Sequence, residues 1–471
     1  MFDYDITVIV VVLAVVELGG IILAVDAVMR PRSSQAAIAW SVSLISLPIV
    51  VIPLYLIFGR TRFQGYAEAL REKESYIEES LANWYLQMAT AASPTIEKLE
   101  AVEKLVRGVT HLPFTTGNRL DLLINGERTY AEMLAAIADA TSYVLVQFYI
   151  VKDGVIGQRL MNALIDKARL GVKVYFLYDE IGCWKLSSAF LEKMVSESIH
   201  VSGFKTTQGR RNRFQINFRN HRKLLVVDGR IGFIGGHNLA DEYLHYRDTH
   251  LRIEGPATQQ IQLSFIKDWF WATRQILEVN TVIEQHSSEA RSLAIVKTGP
   301  ADCLPGCSAL FATVIHSAKR RLWLTSPYFV PDDVTVRALE AAAIRGVDVR
   351  LLLPGKADHF FVELASYTYY AELIQCGVKI FRYQEKFLHQ KVMLVDRILA
   401  GVGTVNLDNR SLYLNFEATA LVADKGFAAQ VETMLQADFE VSERVGQDHL
   451  ATRPFYMQVA ARVARLASPL L

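Results

Sequence analysis

An internal repeat constrains the fold of this chain more than any other feature. In each copy, a strand-like apolar run is followed by a helical pattern and by a second strand that opens with Gly-Val. These segments are residues 143–150, 157–170 and 171–178 in the first copy and 322–330, 334–345 and 346–353 in the second. Strands that alternate with helices of this length are typical of β-α-β units. We therefore expect an α/β fold of two pseudo-symmetric α/β/α halves, with mixed, mainly parallel sheets.

Each copy continues into the same polar motif, H-x-K-x4-D, followed by an asparagine ten residues after the aspartate. The motif residues are His221, Lys223, Asp228 and Asn238 in the first copy, and His389, Lys391, Asp396 and Asn406 in the second. Apolar residues separate each lysine from its aspartate, which indicates a buried strand. Because side chains two positions apart share a face of a strand, each histidine projects beside its lysine. The two motifs predict one pseudo-symmetric site.

The residue types of the motif suit phosphodiester transfer. One neutral imidazole can attack phosphorus to form a phospho-histidine, while the other, protonated, donates to the departing alcohol and later serves as base for the acceptor hydroxyl. Lys223, Lys391, Asn238 and Asn406 would donate hydrogen bonds to the non-bridging phosphate oxygens. The pattern alone does not decide which of the two histidines attacks.

Two further pairs of acidic residues are candidates for supporting roles. Asp248 and Glu417 follow the motif asparagines and would hold the imidazoles in the required tautomer. Asp228 and Asp396 are counted with the catalytic set. A structural role, in which they end their strands and brace the motif, is an equally good interpretation.

The sequence favours chemistry without a metal or another cofactor. No HExxH, EF-hand or Walker pattern occurs. The four cysteines, Cys183, Cys303, Cys307 and Cys376, do not form a disulfide framework or the ligand spacing of a zinc site. We therefore expect no metal and no cofactor.

The N-terminus carries two long apolar runs, residues 6–29 and 36–58, separated by a short connector. Each is long enough to cross about 30 Å of hydrocarbon as a helix. A cleaved signal peptide is the competing interpretation of the first run, but no basic region precedes it and a second run follows at once. We predict a transmembrane hairpin over residues 1–60, a helical juxtamembrane connector over 61–112, and two catalytic halves over 113–290 and 291–471.

The distribution of basic residues bears on membrane orientation. Two arginines lie in the connector, and more basic residues follow the second run: Arg30 and Arg32 against Arg60, Arg62, Arg71 and Lys73. This difference favours a cytoplasmic body under the positive-inside rule.

The net charge of +1 argues against nucleic acid as a partner. Basic residues nevertheless crowd a stretch that leads into the first motif: Lys205, Arg210, Arg211, Arg213, Arg219, Arg222 and Lys223. This stretch is either a solvated loop or a surface that attracts anionic headgroups or an anionic membrane.

The duplicated motif, each copy followed by a Gly-x-x-Asn segment, resembles that of the phospholipase D superfamily. The resemblance to bacterial cardiolipin synthases is closer and covers essentially the whole chain. It rests on residues 115–118, 122–126, 177–182, 220–223, 326–331, 387–391, 403–408, 410–417 and 468–471. One departure is Gly236, where many members have Ser or Thr; it removes a hydroxyl donor and makes the two halves less equivalent.

The resemblance implies that two phosphatidylglycerol molecules, one donor and one acceptor, are converted to cardiolipin and glycerol through a phosphatidyl-histidine. It implies His221 as nucleophile, His389 as acid and base, and a multi-pass protein of the bacterial inner membrane. The oligomeric state stays open, and a homo-oligomer is compatible with the sequence. Two other activities are a phospholipase or nuclease that uses water as acceptor and a catalytically silent membrane scaffold; the intact motifs speak against the scaffold.

Overall fold

The computed structural model describes residues 2–30, 33–72, 84–94, 96–209, 212–281, 283 and 291–470. Several residues named above lie outside this described part: Arg32, Lys73, Arg210, Arg211 and Leu471. The chain forms two compact units. The first comprises residues 1–65 and 206–218, and the second comprises residues 66–205 and 219–471.

The second unit holds the described strands and most of the described helices. The α-helices whose bounds lie within the described residues are α1 (Phe2–Met29), α2 (Ser34–Ser46), α3 (Pro48–Phe58), α4 (Gln64–Arg71), α5 (Glu100–Thr110), α6 (Gly126–Ala138), α7 (Val155–Arg169), α8 (Ser188–Ser196), α9 (Pro256–Thr273), α10 (Gly306–Ser317), α11 (Asp333–Ile344), α12 (Phe360–Gln375), α13 (Asn409–Tyr413), α14 (Lys425–Glu440) and α15 (Phe455–Leu466). The strands are β1 (Thr115–Ile124), β2 (Tyr143–Phe148), β3 (Lys173–Asp179), β4 (His200–Phe204), β5 (Arg219–Asn220), β6 (Leu224–Val227), β7 (Ile231–Gly235), β8 (Thr249–Glu254), β9 (Arg291–Thr298), β10 (Arg321–Thr325), β11 (Phe329–Val330), β12 (Asp348–Pro354), β13 (Lys379–Tyr383), β14 (Val392–Val395), β15 (Leu399–Gly403), β16 (Leu407–Asp408), β17 (Asn415–Ala423) and β18 (Ser442–Arg444).

The first unit is built on one long apolar helix. Within the described residues, Ile6–Met29 of α1 is the one helix long and apolar enough to cross a membrane. Most of its large side chains are exposed, which suits a lipid environment rather than water. Its polar Asp26 is satisfied within the unit, because Tyr55 of α3 donates a hydrogen bond of 2.9 Å to its carboxylate.

The second apolar run is not the single helix that the sequence predicts. It is divided at Leu47 into α2, of 13 residues, and α3, of 11 residues. The physical reason is Pro48, which has no backbone N–H and disfavours helical backbone at the residue before it. Leu47 accordingly adopts φ −140° and ψ 55°. Both short helices pack against α1, and Ser41 donates to the backbone oxygen of Ala24 at 3.3 Å.

One sheet runs through both halves of the repeat. Its strand order is β18-β13-β12-β10-β14-β15-β17-β9-β1-β8-β7-β6-β2-β3-β4, and β5 pairs with β17. The two halves meet where β9 pairs with β1, and each half has its own buried apolar core. The pseudo-symmetry expected from the repeat is therefore present, with β2-β3-β4 corresponding to β10-β12-β13.

The expectation of a mainly parallel sheet was wrong. Along the strand order, only β2-β3-β4 and β10-β12-β13 are parallel among the described strands. The strand that carries each motif is followed by a tight turn and an antiparallel partner, β7 after β6 and β15 after β14. The β-α-β pattern in the sequence describes the outer strands, whereas hairpins build the centre of the sheet.

Candidate active site

The first motif histidine lies where the two halves are joined by main-chain hydrogen bonds. β5 runs parallel to the start of β17, and the His221 N–H donates to Phe416 O at 2.9 Å. The second motif histidine is held in the same way: the His389 N–H donates to Arg247 O at 2.8 Å. Each histidine is thus fixed by the backbone of the opposite half, as expected for one site at a pseudo-symmetric junction.

The carboxylates that contact the histidines also come from the opposite halves. His221 Nδ1 lies 3.0 Å from both carboxylate oxygens of Glu417, and His389 Nδ1 lies 2.6 Å from Asp248 Oδ2. Both carboxylates are fully buried. Since an ionised carboxylate only accepts, Nδ1 of each ring carries the proton and Nε2 is left with its lone pair.

The electrostatic surroundings keep His221 neutral. Burial lowers its pKa to about 4; Glu417 opposes this shift, and the charge of Lys223 adds to it. Burial also lowers the pKa of His389, followed by the charges of Lys391 and Lys223. Burial is the largest single effect on the pKa of Glu417 and would raise it, but His221, Lys223 and the Thr404 hydroxyl together lower the pKa of this carboxyl.

The two motif lysines are buried beside their histidines. Lys223 Nζ donates to His221 O at 2.6 Å, and Lys391 Nζ donates to His389 O. Lys391 Nζ also lies 2.8 Å from Nδ1 and 3.0 Å from Nε2 of His389. Burial lowers the pKa of Lys391 to about 8, with nearby Asp248 and Glu417 opposing the shift, and lowers that of Lys223 well below its usual range. This arrangement places a readily donated proton next to one imidazole.

The two halves differ at the residue two positions before the motif asparagine, where the first copy of the motif departs from the family pattern. In the second half, Thr404 donates its hydroxyl proton to Glu417. In the first half the equivalent position is Gly236, where a Cβ atom would collide with the carboxylate of Asp248. Glycine is therefore required for Asp248 to occupy its place beside His389.

The motif asparagines are held differently in the two halves. Asn238 accepts from the Ile150 N–H at 3.0 Å and donates to the Tyr243 hydroxyl at 2.6 Å, so its side chain has protein partners on both sides. Asn406 is buried, and its Oδ1 has no hydrogen-bond partner among the described residues. The two asparagines are thus not equivalent as donors to a phosphate.

Aromatic rings surround the histidines, and sequence reasoning did not place most of them there. The ring of Tyr149 meets His221 edge to face at 4.8 Å, and that of Tyr243 meets His389 at 5.1 Å. The rings of Tyr246 and Phe387 lie farther from His389, at 6.0 and 6.1 Å. Tyr149 directly follows β2, in the strand-like run 143–150 of the first repeat, whereas Tyr243 and Tyr246 follow β7 in and after a short 3-10 turn.

Asp228 and Asp396 do not belong to the catalytic group of side chains. Asp228 accepts hydrogen bonds of 2.8 Å from the N–H groups of Thr141, Ser142 and Tyr143, which lead into β2. In the same way, Asp396 accepts hydrogen bonds from the N–H groups of Arg320 and Arg321 at the start of β10. Each aspartate directly follows its motif strand, whereas the motif lysine directly precedes that strand. These contacts favour the bracing interpretation of both aspartates over a catalytic role.

Two residues of the basic stretch before the first motif, Lys205 and Arg222, pair with carboxylates of the protein. Arg222 is buried, and its guanidinium contacts both carboxylate oxygens of Asp268 at 2.8 Å. It also donates to the backbone oxygens of Glu417 and Thr298 at 3.1 Å. Lys205 is exposed and pairs with Glu180 at 3.2 Å. Arg222 is thus a core residue that ties the first motif to the neighbouring strands.

No group of three or more His, Cys, Asp or Glu side chains is arranged to hold a metal ion in the part of the chain that the structure describes. None of the four cysteines is in a disulfide; Cys183 and Cys307 are buried and Cys303 is exposed.

Comparison with known proteins places these features in a family. Residues 133–269 and 311–439 match the model of the family described as "Cardiolipin synthase, PLD-like domain", and residues 20–60 match "Phospholipase_D-nuclease N-terminal". The chain is 45% identical to cardiolipin synthase A of Pseudomonas aeruginosa PAO1, over 97% of this chain and 95% of that protein. It is 41% identical to cardiolipin synthase A of Pseudomonas syringae pv. syringae, over 98% of both chains.

Two solved structures share the fold at low sequence identity. Phosphatidylserine synthase of Haemophilus influenzae is similar with a TM-score of 0.61 and 15% identity, covering 79% of this chain and 100% of that chain. Polyphosphate kinase of Porphyromonas gingivalis has a TM-score of 0.50 and 14% identity, covering 80% of this chain and 56% of that chain.

Proposed function

The chain belongs to the cardiolipin synthase family of the phospholipase D superfamily, and from that premise we propose that it transfers a phosphatidyl group between two phosphatidylglycerol molecules. The products are cardiolipin and glycerol. The observation that carries the residue assignment is the reciprocal pairing of each motif histidine with a buried carboxylate of the opposite half. This pairing leaves Nε2 of both rings as the reacting atoms.

In the first step of the proposed reaction, Nε2 of His221 attacks the phosphorus of the donor lipid. A P–N bond forms as the P–O bond to the departing glycerol breaks, and His389 gives its Nε2 proton to that oxygen. In the second step, the glycerol hydroxyl of the acceptor lipid returns a proton to His389. Its oxygen then forms the new P–O bond as the P–N bond breaks.

The differences between the two halves support His221 as the nucleophile. Its pKa of about 4 keeps the ring neutral, with a lone pair on Nε2, at neutral pH. Burial keeps His389 neutral as well, but this ring has the Lys391 ammonium group beside it, 2.8 Å from Nδ1 and 3.0 Å from Nε2. A bound phosphodiester anion would raise the pKa of His389, because a nearby negative charge favours the imidazolium. Substrate binding thus prepares the acid.

Stabilisation of the charged phosphate falls to the lysines in this proposal. Lys223 and Lys391 are both buried beside the histidines, where a cation interacts with a phosphate oxygen far more strongly than in water. Tyr149 and Tyr243 line the histidine rings and exclude water from them. Limited access of water favours a lipid hydroxyl as acceptor over hydrolysis.

Product analysis tests the proposal. The full chain is incubated in vesicles with phosphatidylglycerol as the sole phosphatidyl lipid, and the lipids are separated by thin-layer chromatography. Cardiolipin and glycerol in equal amounts are expected. Phosphatidic acid as the main product would instead identify a hydrolase, and unchanged lipid with folded protein would refute the transfer. The His221→Ala variant should be inactive, whereas His316→Ala, which removes an exposed histidine on α10, should match the parent.

The protein is associated with a membrane through its apolar N-terminal region. We propose further that α2 and α3 together form the second arm of a hairpin in a bacterial inner membrane, leaving the catalytic body in the cytoplasm. Exposed Cys303 offers the test. A membrane-impermeant thiol reagent should label it in inside-out vesicles and not in intact cells; labelling in intact cells would reverse the orientation.

A further inference from the structure

The last long helix of the chain, α15, presents an apolar face to the outside. Its inner side packs against α12 through the buried residues Ala461 and Ala464. Five large apolar side chains lie on the other side and are between 43% and 81% exposed: Phe455, Tyr456, Val459, Val463 and Leu466. At 3.6 residues per turn these positions fall within one stripe about 100° wide. We call this stripe the α15 apolar face.

A stripe of this kind is unusual on a surface that faces only water. Single exposed apolar residues are normal, but a contiguous row of five with two aromatic rings marks a contact site. Inside the chain the helix has already buried its small alanines, so the large side chains do not contribute to the core. The α15 apolar face therefore requires an external apolar environment.

The charges around the helix indicate which environment this is. Residues 449–471 contain three arginines, Arg453, Arg462 and Arg465, and neither aspartate nor glutamate. Arg462 is exposed and borders the apolar face. Arg465 stacks over the ring of Tyr369 at 4.4 Å, which fixes the helix to α12. An apolar stripe with a cationic border matches the interface of an anionic bilayer, where acyl chains and phosphates are close together.

The helix is also linked to the catalytic half at its C-terminal end. A short 3-10 turn, Ser468–Leu470, follows α15, and Leu470 O accepts a hydrogen bond from Arg410 at 3.3 Å. Arg410 lies between Asn406 and Glu417 in the chain. The turn therefore connects α15 to the segment between Asn406 and Glu417, so contact of α15 with a surface would act on this part of the second half.

We propose that α15 is a membrane-docking helix that inserts its apolar face into the interface of an anionic bilayer, in addition to the N-terminal anchor. The proposal goes beyond the reaction and does not depend on the identity of the lipid substrate. Helices of this type bury their apolar face about 5–10 Å into the headgroup and acyl boundary. Docking at this depth would hold the catalytic half against the surface that contains its lipids.

A local fluorescence measurement on the full chain tests docking without interference from the N-terminal anchor. Cys303 and Cys376 are replaced by serine, and single cysteines are introduced by Val459→Cys or Ile344→Cys for an environment-sensitive dye. Ile344 is the matched control, because it is 71% exposed and lies on α11. The protein is reconstituted in vesicles of phosphatidylglycerol and phosphatidylcholine, with or without nitroxide-labelled lipid.

The dye at position 459 should emit at shorter wavelength and lose about half of its intensity to the nitroxide lipid, whereas the dye at position 344 should be nearly unaffected. Equal behaviour of the two dyes would overturn the proposal. A blue shift at 459 without quenching, together with energy transfer between labelled molecules, would also overturn it and assign the face to a second copy of the chain.

A charge variant examines the cationic border separately. Arg462→Glu changes an exposed residue and leaves the contacts of Arg465 with α12 intact, so folding should be unaffected. In this variant the dye at position 459 should lose much of its quenching in vesicles that contain phosphatidylglycerol. Quenching equal to that of the parent would show that anionic headgroups do not recruit the helix and would contradict this part of the proposal.

Discussion

His221 Nδ1 lies 3.0 Å from both carboxylate oxygens of Glu417, a residue 196 positions later in the chain. The mirror contact joins His389 to Asp248 at 2.6 Å. Each half therefore supplies one motif histidine, and the carboxylate that contacts this histidine comes from the other half. Neither half alone contains both a motif histidine and the carboxylate that contacts it.

Removing the charge of an orienting carboxylate should slow the reaction without unfolding the protein. Glu417→Gln and Asp248→Asn keep the shape of the side chain, but each allows the wrong imidazole tautomer. We expect kcat to fall by a factor of about 10⁴ in either variant, as for a tautomer error in another histidine-based site. Steady-state assays with phosphatidylglycerol measure this, with Glu440→Gln, an exposed change on α14, as control. Near-normal kcat in Glu417→Gln would show that the contact is dispensable.

The buried lysine of the second motif predicts an alkaline limit of activity. Burial lowers the pKa of Lys391 to about 8, so its ammonium group loses its proton as the pH rises through this value. The charged form donates to His389 and binds phosphate, so kcat/KM should fall above that pH. A Lys391→Arg variant that retains activity should show the fall at higher pH, because guanidinium stays protonated. A profile that does not decline with rising pH would contradict the assignment.

Because Asp228 braces the chain before β2, its substitution should lower stability but change kcat little. Burial alone would raise its pKa, but the N–H groups of Tyr143, Thr141 and Ser142 outweigh it and lower the pKa of this carboxyl. Asp228→Asn should lower the free energy of unfolding by about 1.5–3 kcal/mol, because charge-assisted hydrogen bonds are lost. The kcat of the folded fraction should stay close to that of the parent. Thermal unfolding and activity are measured together, with exposed Asp166→Asn as control. Unchanged stability with abolished activity would restore the catalytic interpretation.

Arg222 should behave as a core residue rather than a lipid-binding one. Arg222→Ala leaves Asp268 buried without its cation, which typically costs about 3–5 kcal/mol of stability. We expect a much lower unfolding temperature or poor recovery of folded protein. Exposed Arg213→Ala should have little effect. A stable Arg222→Ala protein that has only lost affinity for phosphatidylglycerol vesicles would support the original headgroup interpretation.

The repeat and the motif spacing were sufficient to predict the α/β class, the pseudo-symmetry and the position of both histidines at one junction. They identified Asp248 and Glu417 as orienting candidates, but the cross-pairing depends on how β5 meets β17, which is a long-range contact. Spacing along the chain carries no information about which half an acidic side chain faces.

The incorrect expectations have separate origins. The antiparallel centre of the sheet arises from hairpins, which periodicity does not distinguish from buried parallel strands. Arg222 looked like part of a basic loop because its partner, Asp268, lies 46 residues later. Pro48 was visible in the sequence, and its effect on the second apolar run was underestimated.

The central claim is that His221 carries the phosphatidyl group while His389 moves the protons. Trapping the intermediate with labelled phosphatidylglycerol tests it most directly, by comparing the parent with His221→Ala and His389→Ala after rapid denaturation. The account predicts no protein-bound label in His221→Ala and label on His221 in the parent. Label that still attaches to the protein when His221 is absent would contradict it.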